Sequence, residues 1–266
     1  MFLFVGTLAG ILISIAQAIR GGTNSTTEFT VWTVTIGGSV TSDSPQGLNS
    51  FATRSKTLLC TGTLLSNEWV LTTTSCLSSL TSQDGGIHVN NLRVYAGCAD
   101  GPTKACSQVL SGSKIYKHPC YEGVNSTDPA MQQNDIALLR LQAPGVAVGG
   151  KTRFPLLDKV IDGAYLTPMD NGVVSGWGHT GYNRTNNDEK MFPTKLQMLT
   201  MPFIPISTCK AKFLELDGTY SSKKDFKTPT IVCAGSGLAE MPCDVDDHGA
   251  PLTQLNSEGE WVSEMY

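Results

Sequence analysis

The hydrophobic positions of this chain fall in short runs rather than at the three-and-four spacing of a helix. Stretches 31–36, 69–73, 92–95, 136–141 and 173–175 are rich in Val, Ile, Leu, Thr and aromatic residues, a composition that fits a pleated, half-buried strand. Between them, Gly, Ser, Asn, Asp and Pro cluster at 41–55, 122–133 and 180–193. These read as loops, because such residues supply left-handed or fixed φ angles and side-chain bonds to nearby backbone. Helical periodicity is sparse, the best stretch being 205–216 around Cys209. No internal repeat is present, and the pattern predicts an all-β protein of many short strands.

Composition narrows this picture. With 266 residues, 40% of them hydrophobic and 16% charged, the chain can bury the core of one large β unit or two small packed barrels. The net charge is -4 and the Lys and Arg residues are scattered, so there is no basic stripe for a polyanion and nucleic acid is not an expected partner.

Residues 1–18 are almost wholly apolar and end in Ala16-Gln17-Ala18, the small-x-small pattern of a signal-peptide cleavage site. They carry no Lys or Arg and are just long enough to cross a bilayer, so an uncleaved anchor is the alternative. Downstream there is no second apolar run of that length. The expectation is a signal peptide at 1–18 and a secreted, extracellular chain from 19 to 266, with no membrane association after cleavage.

Eight cysteines without a CxxC pair agree with an oxidising compartment and structural disulfides rather than a zinc site. Sequons at Asn24, Asn125 and Asn183 point to glycosylated surface loops.

Six local motifs then follow one another in a single order. Ile19-Arg20-Gly21-Gly22 is similar to the Ile-Val-Gly-Gly start of a mature chymotrypsin-family protease. Cys60-Thr61-Gly62-Thr63-Leu64-Leu65, followed by Trp69-Val70-Leu71-Thr72-Thr73-Thr74-Ser75-Cys76, resembles the family's C-G-G-x-L-I and W-V-L-T-A-A-H-C. Asn134 to Leu141 resembles D-I-A-L-L-x-L, and Gly172 to Gly178 carries V-S-G-W-G. Ile231 to Gly235 and Cys243 to Leu252 resemble the C-A-G and C-x-G-D-S-G-G-P-L segments. The chain thus resembles a trypsin-like serine protease over nearly all of its mature length.

That resemblance implies two antiparallel β-barrels with a catalytic serine, histidine and aspartate in the crevice between them. The aspartate position is Asp135. The histidine position is Ser75, which has no pKa near neutrality and cannot serve as the base. Counting back from Pro251 puts His248 at the serine position, whereas counting forward from Cys243 puts Asp247 there; neither is a serine, and no serine or threonine lies between Cys243 and Leu252. The glycine of the oxyanion hole becomes Asp246 or Val245, a side chain where glycine's freedom is needed and, for the aspartate, a charge of the wrong sign. Met241, at the specificity position, gives no support for cleavage after Lys or Arg.

Other histidines offer no replacement base. His118 sits in a run resembling the family's structural H-P-x-Y, and His88 and His179 lie in expected loops. His248 beside Asp246 and Asp247 reads as a solvated loop, so neither a metal nor a cofactor is expected. From the resemblance, Cys60 pairs with Cys76 and Cys209 with Cys233; Cys98 with Cys106 is a local bridge, and Cys120 and Cys243 are left over, either paired with each other, free, or linked to another chain. It also implies that Ile19, once freed, pairs through its amine with Asp247. The chain stops at Tyr266 where the family continues into further strands and a C-terminal helix, so the second barrel reads as truncated, whether as a short form or an incomplete sequence. Three functional classes follow: a non-proteolytic homologue that binds or regulates a protein or peptide partner, a serine-type endopeptidase using unusual residues, and a truncated product without function.

Overall fold

The computed structural model describes residues 19, 22–26, 29–38, 59–81, 88–121, 134–149, 154–157, 171–178, 181–183, 189–205, 207–208, 211, 233–235, 247–255 and 260–264. Its strands are, in chain order, β1 (Thr23–Asn24), β2 (Thr33–Gly38), β3 (Cys60–Leu64), β4 (Trp69–Thr72), β5 (Leu92–Ala96), β6 (Gln108–Lys117) and β7 (Ala137–Leu141). They continue with β8 (Leu156–Leu157), β9 (Asn171–Gly176), β10 (Gly181–Asn183), β11 (Glu189–Met191), β12 (Gln197–Pro202), β13 (Leu252–Leu255) and β14 (Trp261–Glu264). An α-helix, α1 (Thr74–Thr81), follows β4.

Strands β2, β3, β4, β7, β6 and β5 close into an antiparallel barrel in that order. Val34, Ile36, Leu64, Val70, Leu92, Val94 and Leu139 are fully buried inside it. On β7 the alternation is clean: Ala137, Leu139 and Leu141 are buried while Arg140 is exposed, the period-two arrangement of a strand with one wet face. A second, six-stranded sheet runs β1-β12-β9-β13-β14-β8. Among the described residues it is open, and its β14–β8 pair is parallel.

The two sheets share a core. Val173 and Trp177 of the second sheet pack with Phe29, Trp32 and the first-barrel residues in one cluster. The Phe29 ring meets Trp261 edge-on at 4.6 Å between centroids. A buried hydroxyl pair, Thr33 on β2 and Ser175 on β9, joins the sheets at 2.8 Å.

Several elements differ from the sequence expectation. The strand expected at 31–36 starts two residues later, because 29–31 forms a 3-10 turn. β6, ten residues long, was not predicted: its apolar residues do not alternate regularly, and a bulge between Gly112 and Lys114 breaks the register. Helix α1, TSCLSSLT, lacks an acidic first turn and a basic last turn and gave no helical signal. The stretch 180–193 is not a plain loop, since β10 and β11 form an antiparallel hairpin within it. The expected loops at 41–55 and 122–133 and the signal segment 1–18 lie outside the described residues, as does most of 205–216, of which 207, 208 and 211 are helical.

Leu139, buried on β7, and Val109, 48% exposed on β6, give a contrast for testing the core. Leu139→Ala should cost about 2–5 kcal/mol of unfolding free energy and Val109→Ala about 0.5 kcal/mol or less, read from urea denaturation midpoints.

Candidate functional site

Helix α1 begins at the end of β4, and its first turn leaves backbone N–H groups without intrahelical partners. Thr73 caps it, its hydroxyl accepting from the Cys76 N–H at 3.4 Å, the usual role of a threonine at that position. The Ser75 N–H is satisfied from far along the chain, by Asp135 Oδ1 at 2.7 Å. The Ser75 hydroxyl donates to the other oxygen, Asp135 Oδ2, at 2.5 Å. Asp135 is aimed by a tight turn in which Asn134 has φ +59° and its carbonyl accepts from the Ile136 N–H at 2.8 Å. Thr74 Oγ1 donates to the Ile136 carbonyl at 2.8 Å, fixing the same corner.

Ser75 and Asp135 therefore meet as the resemblance implied, but as a closed pair. Both carboxylate oxygens accept from one residue, and the intervening group is a hydroxyl that neither takes up nor gives up a proton near neutral pH. Tyr121, which the sequence reading did not place here, stands close enough to feel Asp135: its phenol is pushed above the ordinary tyrosine range, first by burial and then by that negative charge. The phenol is thus held neutral and supplies no base.

Residues 247–250 form a turn closed by a bond from the Ala250 N–H to the Asp247 carbonyl at 2.9 Å. His248 is exposed, yet its carbonyl accepts from the Thr61 N–H at 3.0 Å. Thr61 in turn accepts from Thr72 Oγ1 at 2.9 Å. Gly249 has φ +85° and lies so close to Thr61 O and Thr72 Oγ1 that a Cβ there would collide with both; position and conformation each demand glycine.

Asp247 turns the other way. It is 6% exposed, its Oδ1 accepts from the Gly178 N–H at 2.9 Å, and its carboxylate fills the space a Cβ would occupy on Gly176 or Gly178. The Ile19 side chain, also buried, lies against the same Gly176 and packs with Val174, Leu199 and Met201. The sequence signal for this packing was the V-S-G-W-G motif, whose glycines leave room for the carboxylate.

The remaining candidates divide between described and undescribed residues. Cys60 is bonded to Cys76 and Cys98 to Cys106. Cys233 is disulfide-bonded, while Cys209 and Cys243 lie outside the described residues. Cys120 is free and exposed, which removes the Cys120–Cys243 bridge left open above. His88 and His118 each accept a backbone N–H at Nδ1, from Asn90 at 3.3 Å and Cys120 at 3.2 Å, so both cap local turns. Asn24 is exposed on a strand rather than in a loop, and its Oδ1 accepts from Gln197 Nε2 at 2.9 Å, leaving its own amide nitrogen outside that bond. Asn183 is on β10. Asn125, His179, Met241, Val245 and Asp246 lie outside the described residues.

Ser75→Ala removes one of the donors to the part-buried Asp135 carboxylate and leaves the helical N–H bond in place. The expected loss is about 1–3 kcal/mol, the cost of a buried polar group stripped of a partner, measured by thermal or urea unfolding; no loss would mean that the Ser75–Asp135 bond does not hold this corner.

Comparison with known proteins agrees with this geometry. The trypsin family model matches residues 35–257. The chain is 27% identical over 197 residues to the complement C1s-1 subcomponent of Mus musculus, covering 73% of this chain and 26% of that protein. It is 27% identical over 202 residues to the complement C1s subcomponent of Sus scrofa, covering 74% and 26%. The chain thus spans about a quarter of the length of these relatives. A closed antiparallel barrel beside a second sheet, together with the family model matched across most of the sequence, makes this chain a member of the trypsin family.

Proposed function

We propose that the chain is a secreted, non-proteolytic member of the trypsin family that acts by binding or regulating a protein or peptide partner. The observation that carries this reading is the Ser75–Asp135 pair: the carboxylate that should orient an imidazole is occupied by a hydroxyl. Attack on an amide needs a nucleophile and a base held together, and loss of either alone costs about a millionfold in a related mechanism. The burial of Asp247 and exposure of His248 support the register in which His248 stands at the nucleophile position. A histidine at that position and a serine at position 75 exchange the two residue types without restoring the carboxylate's hold on a base. The disulfides and the share of the chain matched to complement proteases support secretion.

The protein purified from culture medium should take no fluorophosphonate label and leave a broad peptide library intact. Labelling or turnover abolished by Asp135→Asn would overturn the reading. The paired change S75H with H248S should not restore hydrolysis, because Val245 or Asp246 stands in place of the oxyanion-hole glycine, and one missing donor there costs about a hundredfold to a thousandfold.

Removal of residues 1–18 would leave Ile19 as the amino terminus. Its side chain is already buried beside Gly176, with Asp247 on the same glycine, which supports an ion pair between the freed amine and that carboxylate. Asp247→Asn should then lower the melting temperature of protein beginning at Ile19 far more than that of protein retaining 1–18. Equal effects on both, or an amino terminus other than Ile19 in the secreted protein, would exclude the pairing.

A further inference from the structure

The turn between β5 and β6 is a loop closed on itself by the Cys98–Cys106 bond. Its neck is tied by Ser107, whose N–H donates to the Gly97 carbonyl at 3.3 Å and whose hydroxyl donates to the Ala96 carbonyl at 3.0 Å. Beyond the neck the loop crosses to residues 193–195, which lead from the β10–β11 hairpin into β12. The Gly101 N–H donates to the Thr194 carbonyl at 3.0 Å, and Lys195 Nζ donates to the Ala99 carbonyl at 3.0 Å. Both loop partners lie inside the ring that the disulfide closes.

Two features make this attachment depend on the covalent bond. The Lys195 contact is exposed to solvent, and an exposed bond of this kind holds its partners only when they are already positioned. In addition, Ala105, next to Cys106, has φ +49°, a left-handed conformation that a residue with a Cβ keeps only when its surroundings impose it. The bond is also reachable: Cys106 is half-buried, whereas Cys60 and Cys76 are 1% and 3% exposed.

We propose that Cys98–Cys106 is a redox-sensitive clasp between the first barrel and the segment entering the second sheet. A dithiol reductant opens it by attack of one thiolate on the more exposed Cys106 sulfur. Cys98 leaves as a thiolate and takes up a proton. The second thiol of the reductant then resolves the mixed disulfide, releasing Cys106 as a thiol and leaving the reductant oxidised, with two electrons and two protons gained by the protein. Ala105 relaxes, the contacts to Thr194 and Lys195 separate, and the β10–β11 hairpin is freed at its C-terminal end. That hairpin begins three residues after Gly178, whose amide holds the carboxylate of Asp247, the neighbour of His248, so the clasp adjusts the mobility of the segment next to that bond. The device does not depend on what the crevice binds.

The test uses the full chain with Cys120 blocked by alkylation, titrated with dithiothreitol, with newly released thiols located by mass spectrometry and cleavage followed under limiting trypsin. Cys98 and Cys106 should be the first thiols released, and cleavage after Lys190 and Lys195 should rise about tenfold as the open population grows. Release of another pair first, or unchanged cleavage after Cys98 and Cys106 are reduced, overturns the proposal. Ala105→Gly removes the left-handed cost from the closed loop and should raise the dithiothreitol concentration at half-reduction about fivefold to thirtyfold; an unchanged midpoint counts against the clasp as proposed. Lys195→Met leaves the disulfide intact and should raise cleavage after Lys190 in the oxidised protein, whereas resistance equal to the parent's would show that the loop does not hold the segment.

Discussion

The crevice is organised by the end of β3, where Cys60 is bonded to Cys76 and the adjoining Thr61 gives its N–H to His248 and accepts from Thr72. The disulfide ties the strand to the first turn of α1 across a separation of 16 residues, a loop whose closure is worth about 3 kcal/mol in the chain-entropy account. Ser75 stands beside the bonded Cys76, and Asp135 is drawn onto it by two hydrogen bonds. On the other side, Gly249 fits against Thr61 and Thr72 only because it has no side chain. One short stretch of backbone thus sets the positions of Ser75, Asp135 and His248 together.

On the proposed non-proteolytic reading, that frame is what lets the chain lack the chemistry and keep the shape. The bonds that fix the site are made mainly by backbone groups, a disulfide and threonine hydroxyls, none of which takes part in proton transfer. A serine at the histidine position satisfies Asp135 and an N–H of α1 together, so the substitution that removes the base leaves no buried polar group stranded. His248 is tolerated because its side chain faces solvent while its carbonyl does the structural task.

Much of this was readable from the residues. The strands near 69–73, 92–95, 136–141 and 173–175 show compact apolar runs, and Ser75, Asp135 and His248 are located by counting from the cysteines, glycines and Pro251 of motifs that resemble the family's. The rest depends on contacts distant in sequence. The N-terminal support for α1 comes partly from Asp135, 60 residues away, so no local capping signal could announce it. β6 is hidden by a bulge that breaks its period, and the β10–β11 hairpin is built from polar residues that local composition assigns to a loop. Tyr121 feels the charge of Asp135 across a fold of the chain at which the Asn134 side chain donates to the Cys120 carbonyl at 3.0 Å.

The Ser75–Asp135 bond also has a historical consequence. On the proposed reading, a lineage carrying it cannot drift back to hydrolysis one residue at a time: an imidazole at 75 would have to displace a satisfied hydroxyl while no nucleophile awaits it, and a serine at 248 would find the Asp135 carboxylate already engaged. Each lone reversal gives up local order and returns no turnover for selection to favour. The hydrogen bond works as a ratchet, and the descendants of such a chain are free to diversify their surfaces but not to regain the old reaction by small steps.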